Sequence, residues 1–130
     1  MRRKLWPDQD PAELESELAQ VTAMEPPYTG FVAEEHGRLI GFIEVWVRGY
    51  AEGAPVGPAA YVEGLWVEPE HRRRGVARAM LEAAEQWARA RGLGYIGSDA
   101  LIDNDLSHAW HKAAGFAEIE RLVVFGKKLA

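Results

Sequence analysis

Three consecutive arginines and a glycine, Arg72-Arg73-Arg74-Gly75, stand between an apolar run and a helical pattern. Upstream, Leu65, Trp66 and Val67 favour a strand, which Glu68-Pro69-Glu70 ends because proline offers no N–H to a ladder. Downstream, Val76, Met80, Ala83, Ala84 and Trp87 recur at helical spacing. The basic loop therefore opens a helix, where the first-turn N–H groups have no helical partner and attract an anion. Gly75 and Ala77 carry too little bulk to keep a phosphate off the main chain. Arg72, Arg73 and Arg74 add positive charge. The chemistry this order of residues suits is a pyrophosphate cradle, with a merely solvated arginine run as the competing reading. The spacing Arg72-x-x-Gly75-x-Ala77 lacks the three glycines of a dinucleotide fingerprint and the Gly-Lys-Ser/Thr of a P-loop.

Acids and aromatics elsewhere could complete a site. Asp99 follows the short apolar run Tyr95–Ser98, and strand ends of this kind are where α/β sheets bind ligands. A loop or capping aspartate is the alternative. Glu63 precedes Gly64 inside an apolar strand, a pattern that signals a bulge or a close backbone approach. An acid at that position needs a partner or a cleft, unless it simply faces outward. Trp6 and Tyr50, flanked by loop signals, suit either the core or one wall of a substrate site. His108 and His111 lie three apart on one helix, but no third ligand accompanies them, so no metal is expected.

The elements that must position these groups are readable from local signals. Asp10-Pro11-Ala12-Glu13 starts a helix with an N-cap, a proline at the first helical position and a capping-box acid. Leu14, Leu18 and Val21 form its apolar stripe, and Pro26-Pro27 ends it. Phe31–Glu35 and Leu39–Arg48 read as strands joined by a turn at His36-Gly37-Arg38. In the second, Leu39, Ile43, Val45 and Val47 share one face, with Glu44 and Arg48 on the other. Residues 51–59 are loop, and Ala60–Val67 is a third strand leading to the arginines and a helix that reaches about Arg91, with Gly92 at C′. Asp103-Asn104-Asp105 caps a helix running to Ala114, and Phe116–Leu129 is extended, as one bent strand or two. Hairpins followed by helical crossovers give an α/β (α+β) chain with a mixed sheet and helices on its faces.

Composition bounds the rest. The 130 residues suit a single domain, 1–130, and 48% hydrophobic with 27% charged residues is ordinary for a globular chain. The absence of cysteine excludes disulfides and thiolate chemistry and fits the cytoplasm. A formal net charge of −5 argues against a nucleic-acid binder and favours a cationic small molecule. No signal peptide or membrane-length apolar run is evident, so no membrane partner is expected.

Strand, breaker, Arg72-x-x-Gly75-x-Ala77 and helix together resemble the acetyl-coenzyme A signature of the GNAT acetyltransferases, Q/R-x-x-G-x-G/A. LWP at 5–7, GYAEG at 49–53, VEGLWV at 62–67, SDALIDN at 98–104 and HKAAGFAEIERLVVFGKKL at 111–129 look, within that superfamily, like the aminoglycoside 6′-N-acetyltransferases. The resemblance implies the GNAT fold and acetyl-CoA as cosubstrate. It implies that the backbone of Leu65, Trp66 and Val67 pairs with the pantetheine arm, the Leu65 N–H facing the thioester carbonyl. Arg73, Arg74, Gly75, Val76, Ala77 and Arg78 would hold the pyrophosphate, with Arg72 opening the signature and Asn104 and Ser107 further along the coenzyme. Trp6, Tyr50, Glu63, Asp99 and Glu120 would line the aminoglycoside pocket, where carboxylates suit a polycation and aromatic faces suit its apolar surfaces. Asp99 is the expected proton acceptor for the amine. His111 stands where many members place a tyrosine to protonate the leaving thiolate. By the same resemblance the family's first strand is absent from these residues, which begin inside what would be its first helix. Either the true start lies upstream, or another chain or a bare edge replaces that strand, and a homodimer is expected. Another amine, such as a polyamine or a protein N-terminus, a coenzyme A-binding module without catalysis and a nucleotide-binding regulator are the competing functions.

Overall fold

The computed structural model describes residues 1–5, 10–13 and 28–130. They group into two compact units, Met1–Asp99 and Ala100–Ala130. The apolar stripe expected at Leu14, Leu18 and Val21, the Pro26-Pro27 stop and Trp6 lie outside the described residues. The expected helix start is present, with residues 11–13 helical and the Ala12 N–H donating to Asp10 Oδ1 at 2.9 Å.

The first unit opens with a short helix α1 (Arg2–Leu5) and is built on a mixed four-stranded sheet, order β1-β2-β3-β4. The strands are β1 (Tyr28–Glu35), β2 (Arg38–Arg48), β3 (Ala59–Val67) and β4 (Ile96–Ser98). β1–β2 and β2–β3 are antiparallel, and β4 runs parallel to β3. The turn between β1 and β2 places His36 (φ 51°) and Gly37 (φ 76°) in the left-handed region, the twist that a two-residue hairpin requires.

α2 (Val76–Ala90) crosses over between β3 and β4, burying Met80, Leu81, Ala84 and Ala88. This stripe differs from the expected one, since Leu81 and Ala88 go in while Val76, Ala83 and Trp87 stay at its margins. The helix ends as read, at Gly92 (φ 75°), with the Leu93 N–H returning to Ala88 O. Gly41 on β2 lets α2 and the sheet meet, because a Cβ there would lie 2.9 Å from Trp66 O and 3.0 Å from Met80 Cε.

The one-sided alternation expected along β2 is not what forms. Ile40 through Val45 are all buried, whereas Leu39 is half exposed. Two facts explain this. β2 is an interior strand paired on both sides, and Ile40 is the extra residue of a bulge, since Ala33 pairs with Gly41 and Glu34 with Leu39. At the far end of β3, the Lys4 ammonium grips both oxygens of Glu68 at 2.8 and 2.9 Å, tying α1 to the sheet.

The second unit contains α3 (Asp105–Ala113). Asn104 caps it, its side chain accepting from the Ser107 N–H at 3.1 Å, and Gly115 (φ 99°) follows its end. The strand expected over Phe116–Leu129 does not form, and residues 116–130 carry no regular structure. Leu122, Val123, Val124 and Phe125 are 57 to 90% exposed. β-Branched and aromatic residues prefer a strand only when a neighbouring strand accepts their backbone and side chains, and this unit supplies none. No helix among the described residues is long and apolar enough to cross a membrane.

Candidate active site

The β3–β4 ladder ends where the chemistry was expected. β4 pairs with β3 only from Ala60↔Ile96 to Val62↔Ser98, whereas β3 continues to Val67. Glu63 is the next residue after that ladder. It is also the extra residue of a bulge against β2, because Glu44 faces Gly64 and Val45 faces Val62. A bulge bends its strand and redirects one side chain. The stretch Glu63–Val67, with Leu65, Trp66 and Val67, therefore continues past the end of the β4 ladder and runs into the arginine loop.

In that loop Arg73 (φ 64°) and Gly75 (φ 81°) adopt left-handed backbone, and Gly75 is the N-cap of α2. No side chain caps the helix, and nothing lies within 4 Å of where a Gly75 Cβ would be. The helix start is thus open beside the exposed Arg73, Arg74 and Arg78, with Val76 and Ala77 only partly covered. Arg72 behaves differently. Its Nε donates to Val67 O at 2.8 Å and its guanidinium lies over the Trp66 ring at 4.7 Å, so it braces the end of β3.

Two of the expected acids are linked through residues that the sequence did not single out. Arg48, the last residue of β2, donates Nε to Glu63 Oε1 at 2.7 Å and NH2 to Oε2 at 2.9 Å. The same guanidinium lies 3.6 Å from the centre of the Tyr61 ring. Tyr61 in turn donates its hydroxyl to Asp99 Oδ2 at 3.0 Å. The order Glu63–Arg48–Tyr61–Asp99 spans β2, β3 and the end of β4. Burial, followed by the facing Asp99 carboxylate, pushes the Tyr61 phenol well above its ordinary range, so it stays a donor. The Glu63 hydrogen bond holds the proton on Arg48 more firmly, against burial. Tyr61 was detectable in principle, because a phenol in the middle of an apolar strand requires a partner for its hydroxyl.

The remaining candidates are placed as follows. Tyr50 is exposed two residues beyond Arg48. In the second unit, the Asn104 side chain is engaged as the α3 cap, and Glu120 lies on the exposed segment 116–130. His111 Nδ1 is 2.7 Å from Ser107 O and 3.2 Å from Ser107 Oγ. A carbonyl only accepts, so Nδ1 carries a hydrogen and Nε2 of the neutral ring holds the lone pair. Proton delivery from Nε2 therefore requires the cationic ring, which packs edgewise on Trp110 and Phe116. His108 Nε2 bonds Leu101 O at 2.9 Å, and no cluster of three or more metal-ligating side chains occurs among the described residues.

The chain is similar to known proteins in sequence and in fold. The Acetyltransferase (GNAT) family matches residues 1–116. An aminoglycoside N(6′)-acetyltransferase type 1 of Klebsiella aerogenes is 39% identical over 132 residues, spanning 99% of this chain and 87% of that protein. Among solved structures, the apo aminoglycoside 6′-N-acetyltransferase AAC(6′)-Ig of Acinetobacter haemolyticus superposes with a TM-score of 0.91 at 35% identity, covering 99% of this chain and 88% of that one. AAC(6′)-Iy, in complex with the bisubstrate analogue CoA-S-monomethyl-acetylneamine, gives 0.92 at 29% identity with the same coverage. With a family match over residues 1–116 and a relative 39% identical over nearly its whole length, the chain belongs to the GNAT acetyltransferase family.

Proposed function

We propose that this protein transfers acetyl from acetyl-CoA to a primary amine of an aminoglycoside, the 6′-amine, by direct attack. The observation that carries this reading is that β4 ends beside Val62 while β3 runs on through Glu63 to the arginine loop and the open start of α2, with Glu63 and Asp99 joined through Arg48 and Tyr61. The similarity to proteins named aminoglycoside N(6′)-acetyltransferases, at 33–39% identity, supports the acceptor. In this reading Leu65, Trp66 and Val67 pair with the pantetheine, and Arg73, Arg74, Gly75, Val76, Ala77 and Arg78 hold the pyrophosphate. Arg72 contributes by bracing that loop, and Asn104 and Ser107 meet the coenzyme beyond it. Trp6, Tyr50, Glu63, Asp99 and Glu120 receive the sugar.

The chemistry balances in one transfer. Asp99 takes a proton from the substrate ammonium, exposing the nitrogen lone pair. The nitrogen attacks the thioester carbon while the Leu65 N–H steadies the carbonyl oxygen. The C–N bond forms, the C–S bond breaks, and the departing thiolate takes a proton from the cationic His111 ring or from water. The same reading has residues 1–130 act as one catalytic domain, in the cytoplasm, in the service of antibiotic resistance. It also makes the protein a homodimer, a state supported by β1 at the sheet edge and by the exposed apolar residues Leu122 to Phe125. Light scattering that finds a stable monomer at high concentration overturns the dimer.

The test of function is thiol release from acetyl-CoA with kanamycin-type sugars, polyamines and peptides as acceptors. Turnover with the sugars is expected. Turnover with polyamines or peptides alone overturns the acceptor, and no release with any of them leaves a coenzyme-binding module without catalysis.

A further inference from the structure

We propose that Tyr61 is the positioning residue for the Asp99 carboxylate, its hydroxyl fixing one carboxylate oxygen so that the other meets the acceptor amine. This deepens the reading above and rests on Asp99 as the proton acceptor. Asp99 itself is exposed at the end of a three-residue strand, and nothing in that local sequence fixes its side chain. A proton acceptor must be held within a fraction of an ångström of its productive geometry. Tyr61 supplies that constraint from the core. It is 5% exposed, clusters with Ala51 and Ala59, and packs against Ala54 and Tyr95.

Its ring is fixed from two further directions. The Arg48 guanidinium, anchored by both oxygens of Glu63, lies 3.6 Å from the ring centre. Gly97, the register partner of Tyr61 on β4, leaves room for the ring, since a Cβ there would come within 2.9 Å of Cδ2 and Cε2. The hydroxyl is thereby delivered to Asp99 Oδ2 at 3.0 Å. A carboxylate accepts at both oxygens, so this bond leaves acceptor capacity for an ammonium. The phenol's raised affinity for its proton keeps it a donor and keeps it from competing as the base.

The experiment is a kinetic cycle of Tyr61→Phe, Asp99→Asn and the double variant, with an aminoglycoside acceptor and melting curves for each protein. Tyr61→Phe keeps every ring atom and removes only the hydroxyl. It is expected to lower kcat about tenfold or more, the scale of a hydrogen bond to a charged group. KM for acetyl-CoA should stay within about twofold, and in the Asp99→Asn background the same change should alter kcat less than about twofold. An unchanged kcat in Tyr61→Phe overturns the inference, as does an equal loss in both backgrounds, which would mean that Tyr61 acts without Asp99. Should Tyr61→Phe fold poorly, Gly97→Ala, which displaces the ring from the opposite strand, must produce the same Asp99-dependent loss. Asp99→Asn alone separates the two ideas. Full kcat in that variant removes Asp99 as base and Tyr61 with it, whereas failure of the Tyr61 arm alone leaves Asp99 in its role.

Discussion

A methyl group at Gly97 should disable the site through packing alone. The Cβ of Gly97→Ala would stand 2.9 Å from both Cδ2 and Cε2 of Tyr61, and 3.6 Å from the Ala51 Cβ. Carbon atoms settle at about 3.5–4.0 Å, so the ring must withdraw by roughly half an ångström or more. It has little room to do so, being buried among Ala51 and Ala59 with Arg48 across its face. Overpacking of this kind costs about 1–3 kcal/mol. At this chain length that is a fall in Tm of roughly 3–15 °C. The displaced ring also drags the hydroxyl away from Asp99 Oδ2, so kcat should fall about tenfold, as for loss of a hydrogen bond to a charged group. Chemical denaturation and steady-state kinetics read the two effects separately. The explanation is specific to the ring, so in a Tyr61→Val background Gly97→Ala should cost less than about 0.5 kcal/mol. Equal destabilisation in both backgrounds, or a Gly97→Ala protein as stable and active as the parent, would refute the reasoning.

Asp99→Asn retains shape but loses basicity, and kcat should drop about a hundredfold or more with acetyl-CoA affinity unchanged; an effect confined to the acceptor's KM would make Asp99 a binding acid and pass the proton to Glu63 through water. A Cβ at Gly75 has nothing within 4 Å beyond its chain neighbours, but Gly75→Val forces a β-branched residue into φ 81° and puts bulk at the start of α2. Calorimetry should find acetyl-CoA binding abolished in the folded variant, and unchanged affinity would remove the loop from the coenzyme site. Lys4, through its hydrogen bonds, holds the Glu68 carboxyl below its ordinary range. The link therefore contributes above the ordinary carboxylate range and fades as pH falls through the depressed value. Melting curves of Lys4→Met should lie below the parent at neutral pH and converge with it in acid, and a gap that persists in acid would contradict the assignment.

What was legible in the sequence was what is encoded locally. The Asp10 and Asn104 caps, the Gly92 stop, the His36-Gly37 turn and the strand-loop-helix order around Arg72 to Gly75 each depend on residues a few positions apart. The glycine after Glu63 announced a bulge, and a bulge is present. Contacts made by the register of distant strands were not legible. Arg48 finds Glu63 only because β2 and β3 return on each other after a ten-residue loop. The hydroxyl of Tyr61 reaches an aspartate 38 positions away, across a parallel ladder of three pairs. Arg72 looked equivalent to Arg73 and Arg74, yet the fold gives it a carbonyl and an indole of its own. Residues 116–129 show the opposite error, strand preference without a neighbour to satisfy it.

The bulge at Glu63 has a genetic corollary. Removing one residue from a regular strand turns every later side chain to the wrong face, which is why such deletions usually destroy a sheet. Here the ladder on either side of Glu63 is already in step, with Val62 on Val45 and Gly64 on Glu44. Loss of that single codon would therefore close the ladder rather than shift it. The product would be a straighter β3, free of its irregularity and without the acid that Arg48 holds. Regularity and the proposed role of Glu63 are thus opposed at one position, and a chain under selection for stability alone would be expected to discard this residue among the first.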